Sequence, residues 1–142
     1  MFLTNFFSEK KSFSIPNKRK IRKLIKQLCL SEKKDLSLLN LIFCSDEYLL
    51  KINKKHLNHD YFTDVITFDF SENNKNIEGD IYISVDRVAD NAKKYKETKD
   101  SELIRTVIHG TLHLIGYKDK TKKEKEIMTS KENKYLSLYK KN

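Results

Sequence analysis

Proline occurs once and glycine three times in this chain of 142 residues. Such scarcity argues against flexible linkers and low-complexity tracts, and the breaks between elements must be read from polar clusters. Cysteine occurs twice, as Cys29 and Cys44. Two thiols without C-x-x-C spacing are too few for a Cys-rich zinc site. No apolar run approaches the roughly 20 residues that a membrane helix needs. Residues 1–15 mix Phe with Glu9, Lys10 and Lys11, and lack the basic, apolar and small-residue order of a secretory signal. The expectation is a cytoplasmic protein with no membrane partner and with its cysteines as reduced core thiols. Arginine is scarce as well: of 29 basic side chains only Arg19, Arg22, Arg87 and Arg105 are Arg.

Charge of one sign is abundant. The formal net charge is +9, and a basic surface draws polyanions, chiefly nucleic acid, by releasing condensed counterions. The excess is nearly all Lys and comes with much Asn and Ile, so an A+T-rich coding bias explains the same numbers. The length suits one domain, residues 1–142, closing a single core.

Hydrophobic periodicity predicts the elements. Residues 13–15 read as a short strand, and Pro16 suits the first turn of a helix. Ile21, Leu24, Ile25, Leu28 and Cys29 form one helical stripe. Leu39, Leu41 and Phe43 alternate, predicting a strand over about 38–44. Ser45 then caps a helix, with Asp46 and Glu47 in its first turn, running to about His56. β-Branched and aromatic runs at 65–70 and 81–85 predict neighbouring strands around a polar stretch at 71–78. Val88, Ala89, Ala92 and Tyr95 mark a helix. Another starts near Asp100 or Ser101 and carries Leu103, Ile104, Val107, Ile108, Leu112 and Ile115. Thr121 with Glu124 resembles a capping box that opens a charged last helix. The sum is α+β: a small mixed sheet of about four strands packed with about five helices.

The chemistry concentrates at residues 107–119. His109 and His113 lie four apart on a helix, so they differ by about 40° in direction and stand one turn apart, able to face one ion. Two imidazoles hold a metal weakly. Gly116 can end the helix in a left-handed conformation, and the chain can then turn back to bring Asp119 to the same ion. This His-x-x-x-His-x-x-Gly-x-x-Asp layout follows the logic of the metzincin proteases. Two His and one carboxylate, with an open position for water, is an accepted zinc set, one ion per chain, and also suits iron, manganese or nickel. A His-x-x-x-His pair alone is often accidental. Here accident is disfavoured, because two of the three glycines fall in this one segment. A protease of the His-Glu-x-x-His type needs a Glu after the first His as general base; here that position is Gly110. Arg105, one turn before His109, either faces a phosphate or is solvated or ion-paired. Asp64 and Asp80 read as braces of strand ends.

The segment from His109 to Asp119 resembles the signature of the YbeY family of rRNA-maturation endoribonucleases, H-G-x-L-H-L-x-G-Y-D-H. Thr63-Asp64-Val65-Ile66-Thr67-Phe68 is similar to that family's T-D-V-L-S-F strand. Glu78-Gly79-Asp80-Ile81-Tyr82-Ile83-Ser84 is similar to its L-G-D-I-x-I-S strand. Asn53 stands where the family has the Asn of its L-N segment, and order and spacing agree from about residue 38 to 119. The resemblance implies a single-domain α+β fold with a metal-binding helix. It implies zinc ligands at the positions of His109, His113 and Asp119. It also implies a single-strand-specific endoribonuclease of the cytoplasm, acting in small-subunit rRNA processing and ribosome quality control, with rRNA, ribosomal particles or ribosomal proteins as partners.

Two positions depart from the pattern. The family's third ligand is usually His, and here it is Asp119, whose shorter side chain must approach the metal more closely or act through water. The family usually carries an Arg at the position of Leu57, so a phosphate grip there is lost or passes to Lys54 or Lys55. Two other classes therefore stay open: a non-catalytic ribosome-biogenesis factor with a structural metal, and a metal-dependent hydrolase of another substrate, including peptides.

Overall fold

The computed structural model describes residues 3–142. Nine elements follow in the order β1 (Thr4–Ser8), α1 (Lys18–Ser31), β2 (Asp35–Cys44), α2 (Asp46–Leu57), β3 (Val65–Asp69), β4 (Asn76–Ser84), α3 (Val85–Lys94), α4 (Lys99–Ile115) and α5 (Lys122–Lys141). The four strands form one mixed sheet in the order β1-β2-β4-β3. β1 and β4 run parallel to β2, and β3 pairs antiparallel with β4. The α+β, single-domain architecture expected from periodicity is therefore the one found.

Alternation sorts the sheet into two faces. Leu39, Leu41 and Phe43 of β2 and Ile77, Ile81 and Ile83 of β4 are buried in one core with the stripes of α1, α4 and α5. Cys44, Ile66, Phe68 and Tyr82 point the other way, where Leu49 and Ile52 of α2 cover them. Both cysteines are free and buried, and burial pushes each thiol up to about 12. They are the core thiols anticipated. Among the described residues no helix is long and apolar enough to cross a membrane.

Several boundaries differ from expectation. Residues 13–15 form no strand. Phe13 instead packs its ring 5.4 Å from Phe43, as part of the loop that leads into α1. The edge strand is β1, which pairs with β2 from Thr4↔Leu39 to Ser8↔Phe43. Pro16 lies before the helix: Asn17, left-handed at φ 38°, is the cap, and its side chain accepts from the Lys20 N–H. β4 begins at Asn76, inside the polar stretch read as a connection, and Val85 opens α3. α2 runs to Leu57, one residue past the expected end, with His56 in its last turn. The capping box is present as predicted, with Thr121 and Glu124 each accepting from the other's backbone N–H.

Two glycines bring α4 down onto the sheet. A Cβ on Gly79 would stand 2.4 Å from the Phe68 carbonyl oxygen and 3.2 Å from Leu114 of α4. A Cβ on Gly110 would stand 2.8 Å from Ile81 Cγ2. Gly79→Ala should lower stability by about 3 kcal/mol, because the obstructing atom belongs to strand backbone that cannot swing aside. A shifted denaturant midpoint would register it. The Gly110 contact also explains the missing protease base. Residue 110 faces the sheet, so a Glu there would be driven into Ile81.

Candidate metal centre

α4 enters with Thr98 as cap and ends at Gly116, whose φ of 123° lies where L side chains are strained. The Gly116 and Tyr117 N–H groups both bond back to the Leu112 carbonyl, and this folds the chain over the end of the helix. The turn returns Asp119 to the face that carries His109 and His113. Three donor atoms meet there. The two Nε2 atoms are 2.9 Å apart, and Asp119 Oδ2 lies 3.2 Å from each. Their residues form a group able to hold a metal ion.

The remaining ring atoms decide what the donors are. His113 Nδ1 is 2.9 Å from the Tyr117 carbonyl oxygen, and His109 Nδ1 is 2.6 Å from Glu132 Oε2. Both partners accept, so both Nδ1 atoms carry the hydrogen, a tautomer assigned from the network. With both rings neutral, the state in which an imidazole ligates a metal, each turns a bare Nε2 lone pair toward the other and toward the Asp119 carboxylate. Three acceptors at such separations repel one another unless a cation sits among them. A tetrahedral ion with bonds of roughly 2.0–2.1 Å sets neighbouring donors about 3.3 Å apart, close to the separations found. The donor set therefore fits a divalent metal.

Carboxylates dominate the local field. Burial alone would lower the His109 pKa, but Glu132, Asp119 and Asp64 hold it above its ordinary value. Burial pushes the Asp64 carboxyl up, against the pull of His109 and nearby backbone N–H groups. Asp64 also uses its carbonyl to accept from the Ser84 N–H at 2.9 Å, joining β3 to the end of β4. Asp80, expected at a strand end, lies instead in the middle of β4 and accepts from Asn40 Nδ2 at 3.0 Å. Thr111 is fully buried and donates to the Val107 carbonyl, away from the donors.

The structure places Arg105 beside the centre but not in it. Its guanidinium bonds Glu132 Oε1 at 3.1 Å and Asn133 Oδ1 at 2.9 Å. Glu132 thus receives Arg105 on one oxygen and His109 on the other. Sequence reasoning did not single out Glu132, although it left a trace. Met128, Glu132, Leu136 and Tyr139 share one stripe of α5, and a carboxylate on an apolar stripe announces a buried partner.

A second unforeseen residue is Glu32, just past α1. It accepts from Tyr117 Oη at 2.5 Å, from Lys131 Nζ at 3.1 Å and from the Tyr135 hydroxyl. It so ties down the residue whose carbonyl orients His113. Burial would raise its pKa, but the three donors hold it below the ordinary value. The stabilisation is then present above the unfolded value and lost as pH falls below it through the folded one. Glu32→Gln should flatten the acid limb of a plot of urea midpoint against pH, below about pH 4.5.

The donors line a cleft of about 350 Å³, together with Asn53, Leu57, His59, Tyr61, Asp64 and Thr67. Of the cations proposed to replace the family's Arg, Lys54 pairs with Asp60 at 3.2 Å, whereas Lys55 is exposed on α2.

A family model described as Endoribonuclease YbeY matches residues 5–140. A protein of Cytophaga hutchinsonii named Endoribonuclease YbeY is 52% identical over 135 residues, which is 95% of this chain and 94% of that one. Its namesake in Karelsulcia muelleri is 48% identical over 139 residues, 98% of this chain and 97% of the other. A solution structure of a Thermotoga maritima protein superposes with a TM-score of 0.68 at 27% identity, covering 96% of this chain and 88% of that chain. Carried across nearly their whole lengths, these likenesses show that the chain belongs to the YbeY family.

Proposed function

We propose that this protein is a metal-dependent endoribonuclease that cuts single-stranded RNA in the cytoplasm. Its field of action is small-subunit rRNA maturation and ribosome quality control. Rather than separate binding and cutting modules, residues 1–142 work as one domain. The supporting observation is the convergence of His109 Nε2, His113 Nε2 and Asp119 Oδ2 in the cleft of a YbeY-family chain. These residues are the ligands, and zinc is the ion they suit best. Bound there, a divalent ion supplies a Lewis acid for a phosphate oxygen and lowers the pKa of water.

The chain's own groups do the rest. Glu132 and the Tyr117 carbonyl keep both imidazoles in the Nδ1–H tautomer, leaving each Nε2 free to ligate. Arg105 acts through Glu132, holding its carboxylate against His109. Lys118, Lys120, Lys122 and Lys123 flank Asp119 in sequence and attract the RNA backbone. Ribosomal particles or proteins are the further partners.

One observation favours a second reading. Leu57 lines the cleft where the family pattern has Arg, so a non-catalytic ribosome-biogenesis factor with a structural metal remains the rival. The peptidase reading loses ground to Gly110, which faces the sheet. The deciding assay incubates zinc-loaded protein with single-stranded RNA and with casein, with and without a chelator. RNA cut, casein intact and the cut abolished by chelation is the expected result. Intact RNA together with stable binding to ribosomal particles would transfer the assignment to the rival.

A further inference from the structure

The rim of the cleft carries side chains that the metal centre does not use. Between α2 and β3 the chain turns at Asn58, left-handed at φ 56°. Asn53, only 2% exposed, fastens this loop twice. Its backbone carbonyl accepts from the His59 N–H at 3.1 Å, and its side-chain amide donates to the Tyr61 carbonyl at 2.9 Å. The Lys54–Asp60 pair adds a third tie. Held in this way, the His59 and Tyr61 rings stack with centroids 5.2 Å apart and planes inclined by 21°. Tyr61 Oη lies 3.0 Å from His59 Nδ1.

Tyr61 nevertheless stays 56% exposed, and both residues line the cleft that holds His109, His113 and Asp119. Exposing an aromatic ring to water is unfavourable, and fixing it there in advance lowers the entropy lost when a planar ligand covers it. Phe62 is similarly exposed, but the Arg87 guanidinium already lies 5.3 Å over its ring and it does not line the cleft.

We propose that the His59–Tyr61 pair is a stacking platform for one unpaired nucleobase of the RNA strand whose phosphate occupies the metal centre. Leu57, 40% exposed beside it, extends the apolar surface where a cation would otherwise stand. The occupant is a nucleobase because a flat apolar ledge and a cation site in one cleft match the two halves of a nucleotide. Every base offers a π-face, so the platform tolerates sequence, while a base paired in a duplex keeps both faces inside the stack. The platform thereby selects single strands. The assignment of RNA rests on the endoribonuclease reading, and the geometry of the ledge does not.

The test compares zinc-loaded wild type, Tyr61→Phe and Tyr61→Ala on a fluorescent single-stranded RNA oligonucleotide. Binding is read by anisotropy and cleavage by gel, and zinc content and melting temperature are recorded for each protein. A set of oligonucleotides with one abasic nucleotide at each position in turn completes the series. Tyr61→Ala should weaken binding about tenfold or more and raise KM with little change in kcat, whereas Tyr61→Phe stays near wild type. At one position the abasic nucleotide should cost wild type as much as the Ala substitution does, and cost Tyr61→Ala nothing further. Wild-type affinity in Tyr61→Ala would overturn the platform, as would fully additive losses. If Tyr61→Ala loses zinc or melts early, the abasic series on wild type decides alone, and no sensitive position refutes the proposal. Binding that shows this pattern without cleavage would refute the endoribonuclease reading and leave the platform standing; no binding of single strands by wild type would remove the platform.

Discussion

His113→Ala should leave the purified protein with almost no bound divalent metal and no measurable RNA cleavage. The substitution deletes one of three mutually touching donors, 2.9 Å from His109 Nε2 and 3.2 Å from Asp119 Oδ2. What remains is one imidazole and one carboxylate. Changes in residues that merely orient metal ligands typically cost 10–100-fold in affinity, so loss of a ligand itself should exceed about 100-fold. Elemental analysis of wild type, His113→Ala and Asp119→Ala settles the ligand set. About one ion per chain in wild type, lost from both variants, places Asp119 among the ligands. Metal retained in Asp119→Ala would move the third ligand elsewhere.

Glu132→Leu should act on two measurements at once. Glu132 is buried and bonds both the His109 ring and Arg105. Without it, His109 is free to rotate or change tautomer, and metal affinity should fall about 10–100-fold. The partly buried Arg105 also loses its counter-charge, and stability should fall by about 3 kcal/mol. Glu132→Gln keeps an oxygen acceptor of the same shape and should separate the effects, with the smaller loss in the unfolding free energy. A Leu variant with unaltered zinc affinity in a chelator competition would remove Glu132 from the centre.

The contrast between these two residues shows what a reader of the sequence can and cannot reach. His109, His113, Gly116 and Asp119 lie on one helix and its turn, so fixed helical geometry converts their spacing into proximity. Local rules likewise reach the Ser45 cap, the Thr121–Glu124 box and the stripe on α1. Glu132 comes from another helix, and whether α5 lays that stripe against His109 depends on how α4 and α5 pack. Glu32 reaches Tyr117 by the same kind of long-range contact. The edge strand β1 was misplaced because Phe13 and Ile15 are as apolar as Phe6 and Phe7. Pairing with β2, rather than hydrophobicity, chooses between them. The stacked ring pair is not legible in the sequence because its alignment depends on one hydrogen bond that Asn53 donates and one that it accepts, which no spacing encodes.

The closeness of the three donors in the chain bears on how metal and folding are linked. Because His109, His113 and Asp119 span one short segment, the unfolded polypeptide keeps the same donors tethered together and can bind the ion as well, only more weakly. Stabilisation by a ligand depends on the ratio of its affinities for the folded and unfolded forms, not on its affinity for the folded form alone. That ratio is supplied by groups remote in sequence, Glu132 above all, and by the rigid turn at Gly116. Added zinc should therefore raise the melting temperature by less than its native-state Kd predicts, and in Glu132→Gln the rise itself should shrink while the shortfall, set by the unfolded chain's affinity, stays the same.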